Sequence, residues 1–566
     1  MKAGVRRVKV IGTASVFLWA IFLAGGIAEG WVASDVPLDT DGLRFYLESA
    51  ATSQPIWPLL IEVGAGGLVA LVLALMLERI LEGRITRAGL LACAVLFLLS
   101  AGGGLASWAF VGGIAAGSTA EAGAACDYSV RIVENVAVAQ SRSSGLARLP
   151  APGEDFGSFF SGLIASNKSY CVSAGTYLLR NTIRITNQEN VTLSFAPGAR
   201  LVSTDTIRML QIVGGTGINV VGGTWVGPGR GAFAGIEIDR GSNDVTVKGA
   251  DVSSAGRDGI LVRNDTSPNL RISITDNFVH QNGRYGIQDF EHFKFDALRI
   301  LISSNTALDN SVGGIYTNGV GGAEITSNTV RNTVGTTPGL IGIGVTNGEN
   351  GTVMGNHVDH MFWYGIQVFY NNYTSVANNY SAFNAGGSDQ SGITNDHSFY
   401  DSISNNTVVS NGQVGVHVER SWFVSVRGNT ASGNGRFGIE FYHGDMPATS
   451  NDEIVGNECS FNGQAGIILN SGVDTLVSAN SCLDNSGSGI FLYNDQGQVG
   501  SSGNTITHNL LGDDRSTPAA RTQAYGVKEV NQADNNKITS NVCFNNSVAG
   551  VVTVGPSSVA TGNTED

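Results

Sequence analysis

Ile403-Ser-Asn-Asn406-Thr-Val408-Val-Ser-Asn411-Gly412-Gln-Val-Gly415-Val416-His417-Val418-Glu419-Arg420 is followed after five residues by Val426-Arg-Gly-Asn429-Thr-Ala431-Ser-Gly-Asn434-Gly435-Arg-Phe-Gly438-Ile439-Glu440-Phe441-Tyr442-His443. Both stretches fit one template, V-x-x-N-x-V-x-x-N-G-x-x-G-I-x-V. Its first Asn recurs at 277, 305, 328, 356, 379, 406, 429, 457, 480, 509 and 541, a spacing mostly of 23 alternating with 27 to 29. A period in this range marks a solenoid. Within each repeat the short runs alternate apolar and polar, which is strand periodicity, and Asn and Gly punctuate the corners. No helix fits between the strands. They must therefore stack coil on coil, about 4.8 Å apart, as an all-β, right-handed parallel β-helix of about a dozen coils.

Stacking makes further statements. Asn at one corner can hydrogen-bond Asn in the coils above and below, an internal ladder. The residue two after that Asn reads Val279, Ala307, Val330, Val358, Ser381, Val408, Ala431, Cys459, Cys482, Leu511 and Cys543. This is a core ladder, so its three cysteines read as small buried hydrophobes and not as metal ligands.

Before about residue 120 the composition shifts to Ala, Leu, Val and Gly. Apolar stretches at 8–28, 56–77 and 89–116 are each long enough for a hydrocarbon core that takes about 20 residues, so an α-helical transmembrane region precedes the β-helix. Lys2, Arg6, Arg7 and Lys9 precede the first stretch, and Arg79, Arg84 and Arg87 fill the loop between the second and third. The positive-inside rule puts the N-terminus inside and everything after Ala116 outside, whether or not the first stretch is cleaved as a signal peptide. The expected layout is a membrane region over 1–120, a linker and cap over 121–167 with a short helix from Asp155 to Asn167, the solenoid over 168–556 and a tail over 557–566. Its place is the cytoplasmic membrane, with the β-helix extracytoplasmic. Cys93 falls in a membrane stretch, while Cys126 and Cys171 flank the start of the β region and are available for one disulfide in an oxidising compartment. A net charge of −14 with no massed Lys and Arg argues against nucleic acid as a partner.

Cys171-Val-Ser-Ala-Gly-Thr-Tyr-Leu-Leu, Val191-Thr-Leu-Ser-Phe-Ala-Pro-Gly-Ala and Val220-Val-Gly-Gly-Thr-Trp resemble the opening coils of the pectin-lyase-like superfamily. With the repeat, the resemblance covers roughly residues 168 to 556. It implies a fold shared by polysaccharide lyases, hydrolases, epimerases and copper-maturation proteins, and fold does not imply function. Ca²⁺, which lyases of this superfamily often use, is the cofactor it would admit; the residues themselves designate no metal site.

In each Gly-Ile strand the Ile points inward, so the residues one and three after it point out. Read coil by coil, these outward positions are mostly neutral, except in three successive coils. With their next residues, those coils supply Asp396, His397, His417, Glu419, Arg420, Glu440, Tyr442 and His443. Asp396, Glu419 and Tyr442 are expected to form one column, with His397, Arg420 and His443 beside it. Such a set holds acids, bases and a cation for acid–base chemistry on a sugar. On a uronic-acid polymer His417 or His443 would act as base, Tyr442 as donor and Arg420 on the carboxylate. On a neutral polymer a carboxylate pair would hydrolyse: Asp396 and Glu419, one coil apart, suit the ~5 Å of a retaining pair, and Asp396 with Glu440 the roughly 6.5–9.5 Å of an inverting one. Gln367, Phe369, Tyr370 and Tyr373 before the cluster, and Phe491 and Tyr493 after it, are the candidate sugar-binding track. Arg284-Tyr-Gly-Ile-Gln-Asp289-Phe-Glu-His292 loosely resembles the Tyr-Gly-Phe-Asp-Pro-His motif of alginate C5-epimerases, but Asp289 is displaced by one residue, the Pro is absent, and alternation turns Asp289 inward. The sequence thus predicts a membrane-anchored protein that binds and modifies a polysaccharide; the alternative is a non-catalytic glycan-binding or adhesin-like scaffold.

Overall fold

A computed structural model describes residues 126–264, 267–295, 299–333, 339–385, 390–443, 450–494 and 500–565. The three hydrophobic stretches and Cys93 lie outside the described residues, among which no helix is long and apolar enough to cross a membrane.

Each coil contributes strands that pair in parallel with those one coil away. The face that matters below is a single parallel sheet of fifteen strands, from Ile183–Thr186 to Ala549–Val552. The coils after Asn277 are those the corner asparagines mark. Before it the stack continues with other corners: Ala250 stands where Asn would, and its backbone N–H is met by Asn277 Oδ1 at 2.9 Å.

The asparagine ladder is continuous through the repeat. Asn406 Nδ2 donates to Asn429 Oδ1 at 2.9 Å, Asn429 to Asn457 at 3.0 Å and Asn457 to Asn480 at 3.0 Å. Each Oδ1 also accepts a backbone N–H, as Asn429 does from Asn406. A second ladder runs through Asn384, Asn411, Asn434, Asn462 and Asn485, and continues through Gln523 to Asn546. These buried amides satisfy the donors and acceptors that the tight corners would otherwise strand. Asn429→Ala orphans the Asn406 N–H, so it should lower the unfolding free energy by about 1–3 kcal/mol in urea titrations. An unchanged midpoint would mean that the ladder contributes nothing net.

Val279, Val330, Val358, Val408 and the rest of the core column are buried, as are the free thiols of Cys459, Cys482 and Cys543. At the N-terminal end, Tyr128–Val133 and Val136–Ser141 form an antiparallel hairpin, and the disulfide Cys126–Cys171 ties it to the first coils. The cap helix is shorter than the expected Asp155 to Asn167: it spans Phe156–Ser161, begun by Asp155, whose side chain accepts from Gly157 N, and ended at Gly162. Parallel pairing also starts before residue 168, between Tyr128–Val133 and Ser169–Val172. At the other end Val559–Thr561 and Thr564–Glu565 pair onto the preceding coil, so 557–565 is solenoid and not a tail. Asn563 carries the ladder there, accepting from Asn541 Nδ2 at 3.0 Å, although the strands around it are too short and polar to announce themselves.

Candidate active site

The acid–base residues sit on the outer face of the fifteen-stranded sheet, on Ser391–Asp396, Val414–Glu419 and Phe437–Tyr442. Register aligns Thr394, His417 and Glu440 in one column and Asp396, Glu419 and Tyr442 in the next. The Gly-Ile step sets this phase. A Cβ on Gly415 would come within 2.7 Å of Asn434 Nδ2, so Gly415 and Val416 both face the core. His417 then turns out, Val418 in and Glu419 out.

The imidazole of His417 lies between two carboxylates: Nε2 is 3.7 Å from Glu419 Oε2, and Nδ1 is 3.6 Å from Glu440 Oε2. Arg420 Nη1 holds the other oxygen of Glu419 at 2.8 Å, and His397 Nδ1 is 2.5 Å from Asp396 Oδ1. Burial pushes the Glu419 carboxyl above the ordinary carboxylate range, against the pull of His417 and with the help of Asp396. Glu419 is therefore suited to carry a proton. Above these groups is an open cleft of about 320 Å³, walled by Gln390, Gln413 and Arg436. Those three were not legible as site residues; their signal is the position two before each Gly of the Gly-Ile step. A larger cavity, about 680 Å³, lies at the cap beside Phe156 and Tyr177. Its acids are occupied structurally, Glu154 accepting from Ala151 N and Asp155 capping the helix.

His443 does not lie beside the column. It is 3% exposed, with Nε2 3.2 Å from Oδ2 of the buried Asp452. Tyr370, His397 and Arg420 occupy the equivalent corner with left-handed backbones at φ 48, 52 and 43°; His443 lacks that turn, and its side chain goes inward. Gln367 faces out two coils before His417 in the same column. Tyr370 rests on His397 at 4.6 Å, with Phe369 across the same ring at 6.0 Å. Tyr373 heads a stack that the sequence reading missed: Tyr373 on Tyr400 at 5.2 Å and Tyr400 on Phe423 at 4.7 Å, with Phe399 on Trp422 alongside at 4.9 Å. The signal was an aromatic three residues after Tyr370, His397 and Arg420. Because those rings cover one another's faces, the stack offers a sugar mainly edges. Tyr493 packs on Phe491 at 5.6 Å, two coils beyond Tyr442.

Asp289 faces the core, where Asn264 Nδ2 donates to it at 3.0 Å and burial pushes its pKa up to about 8. The side chain of His292 lies outside the described part. An acid raised in the folded state stabilises fully only below its ordinary pKa, so the stability tied to Asp289 is lost as pH climbs from about 4 toward 8. Urea midpoints should fall over that window, and Asp289→Asn should flatten the decline; Asp401 and Asp484, each raised to about 7 with burial the largest cause, and the raised Asp258, Asp452 and Glu419 would contribute to what remains. Parallel curves for the two proteins would place a different group behind the slope. Among the described residues no three His, Cys, Asp or Glu side chains are grouped to hold a metal ion.

A model of the right-handed β-helix region matches residues 234–400 and 391–564. The chain belongs to that β-helix family. No curated protein sequence matches this β-helix. Solved structures similar to it include the Azotobacter vinelandii mannuronan C-5 epimerase AlgE6 A-module, at 14% identity over 72% of this chain and 92% of that one, with a TM-score of 0.33. The Arthrobacter chlorophenolicus A6 DFA-IIIase is 13% identical over 52% of this chain and 84% of its own, at 0.34. The periplasmic alginate epimerase AlgG is 17% identical over 53% and 73%, at 0.29.

Proposed function

We propose that this β-helix is a glycoside hydrolase that cleaves a polysaccharide laid across the outer face of the fifteen-stranded sheet. The observation that carries the reading is the pair Glu419 and Glu440, held on opposite edges of one imidazole with Glu419 raised by burial. Burial that raises Glu419 favours it as the proton donor of the pair, the acid's part at a bond that an acid and a base share. Glu419 donates its proton to the glycosidic oxygen as the C–O bond breaks. Glu440 takes a proton from the water that adds to the anomeric carbon, and His417, whose nitrogens lie 3.7 and 3.6 Å from Glu419 and Glu440, passes it back as those contacts tighten on substrate. Arg420 stabilises the Glu419 carboxylate left behind. Direct attack by a water that Glu440 activates is the single-displacement course of inverting enzymes. Proton abstraction from a uronate at this centre is less well supported, because the Arg420 guanidinium it would need is already on Glu419.

A panel of acidic and neutral polysaccharides, read for reducing sugar and for absorbance from unsaturated ends, tests the chemistry. New reducing ends of inverted configuration without that absorbance are expected. Unsaturated ends would make the site a lyase. Binding with silence in both assays would leave a glycan-binding scaffold.

Placement outside the cytoplasmic membrane, tethered by 8–28, 56–77 and 89–116, is part of the same proposal. The Cys126–Cys171 disulfide supports an oxidising compartment. Protease added to intact spheroplasts should cut the β-helix; complete protection would refute the topology.

A further inference from the structure

A second cleft, about 240 Å³, opens on the same outer face beyond the first, over Phe437, Gln464, Ser488, Phe491, Tyr525 and Lys528. Its floor is apolar. Phe437, Ala465 and Ile468 are buried there with Phe491 and Tyr493 packed against them. Lys528 Nζ lies 4.3 Å from the centre of the Tyr525 ring and 6.0 Å from that of Phe491. Ring faces hold this ammonium in place without neutralising it.

Nor does a carboxylate neutralise it. Arg331, Arg420, Arg427 and Arg515 each have a carboxylate partner, in a protein of net charge −14. Among the described residues Lys528 has none. Its neighbour Glu529 turns into the core, where Asn536 Nδ2 and Ser558 Oγ donate to its carboxylate. Register places Glu440, Ile468, Phe491 and Lys528 in one column, so Lys528 lies three coils from Glu440, about 14 Å along the axis. Arg436 lines the first cleft and its neighbour Phe437 the second, and no outward carboxylate stands in that column between them.

Resting on the reading that the first cleft binds a polysaccharide, we propose that the second is a remote subsite for the same chain, taking the apolar face of a sugar on Phe491 and its carboxylate on Lys528. The glycan is thereby an acidic one, with one of its carboxylates on Lys528.

The test uses the full-length Glu419→Gln protein, in which turnover is blocked, titrated with galacturonate trisaccharide, galacturonate octasaccharide and the octasaccharide after carboxyl reduction. Adding Lys528→Gln should weaken octagalacturonate binding about tenfold or more, the scale of one charge-assisted hydrogen bond. Affinity for the trisaccharide and the reduced octasaccharide should stay within twofold, and Lys528→Arg should restore the loss. Unchanged octagalacturonate affinity in Lys528→Gln, equal losses for the charged and reduced octasaccharides, or no octagalacturonate binding at all would each overturn the subsite. Hydrolysis of any polymer by the wild-type protein under those outcomes would leave the first cleft's function standing, so the two failures are distinct.

Discussion

Val408→Asp should destabilise the solenoid by several kcal/mol, because it places a carboxylate with no partner inside a stack that has no water to solvate it. Val408 is fully buried, in register with Ser381 before it and Ala431 after it. The packing leaves no slack: a Cβ on Gly392 would meet Val408 Cγ1 at 2.2 Å, so the Asp cannot swing toward that strand either. Asn318→Ala is the matched control. Asn318 faces out, and although its Oδ1 accepts from Asn347 at 2.8 Å, solvent can replace that bond at a cost of about 1 kcal/mol or less. Thermal melts of the two variants should therefore separate widely, with Asn318→Ala close to wild type. Equal melting temperatures would show the strand phase to be wrong, and with it every assignment of an outward residue.

Glu419→Gln should lower turnover by 10² or more, about the lower end of what a positioned general acid contributes, while leaving the melting temperature near that of wild type. The amide keeps the shape and can still meet Arg420, but it has no proton to give to the leaving oxygen. His417→Ala should fall on the same scale, since it removes the group between the two carboxylates. The pH dependence has a defined sign. A general acid must be protonated, so the rate falls on the alkaline side as Glu419 ionises, and its raised pKa carries that limb upward relative to an ordinary carboxylate. In Glu419→Gln that limb should vanish from the residual rate.

Much of this face could be read from residue spacing because a solenoid converts sequence period into distance. Asp396, Glu419 and Tyr442 are 23 residues apart at each step, and the sheet aligns them as the period requires. Alternation alone failed where the backbone breaks it. At the Gly-Ile step two successive residues face the core, so Val414, which strict alternation would turn into the core, packs instead in the outer-face cluster with Phe437, and Gln413 before it becomes a cleft wall. Outward did not always mean wet: Glu237 lies in an outward column yet is buried, because Arg208 closes over it at 2.5 Å. His443 shows the limit of extrapolating a corner. The left-handed turn that projects Arg420 is absent at His443, and nothing in the residue itself signals the change. The aromatic stack was legible in principle, since Tyr373, Tyr400 and Phe423 recur at one corner where Asn350, Asn451 and Asp474 stand in other coils. That the rings would spend their faces on one another required coordinates.

The most direct measurement is the initial rate of reducing-end release by the full-length protein on whichever polymer it cleaves, for wild type, Glu419→Gln, Asp289→Asn and His292→Ala. If the chemistry belongs to the cleft over His417, Glu419→Gln loses about 10² or more while Asp289→Asn and His292→Ala stay near wild type. The reverse order, with Glu419→Gln active and the Asp289 and His292 variants dead, would contradict the account and move the chemistry to the epimerase-like segment.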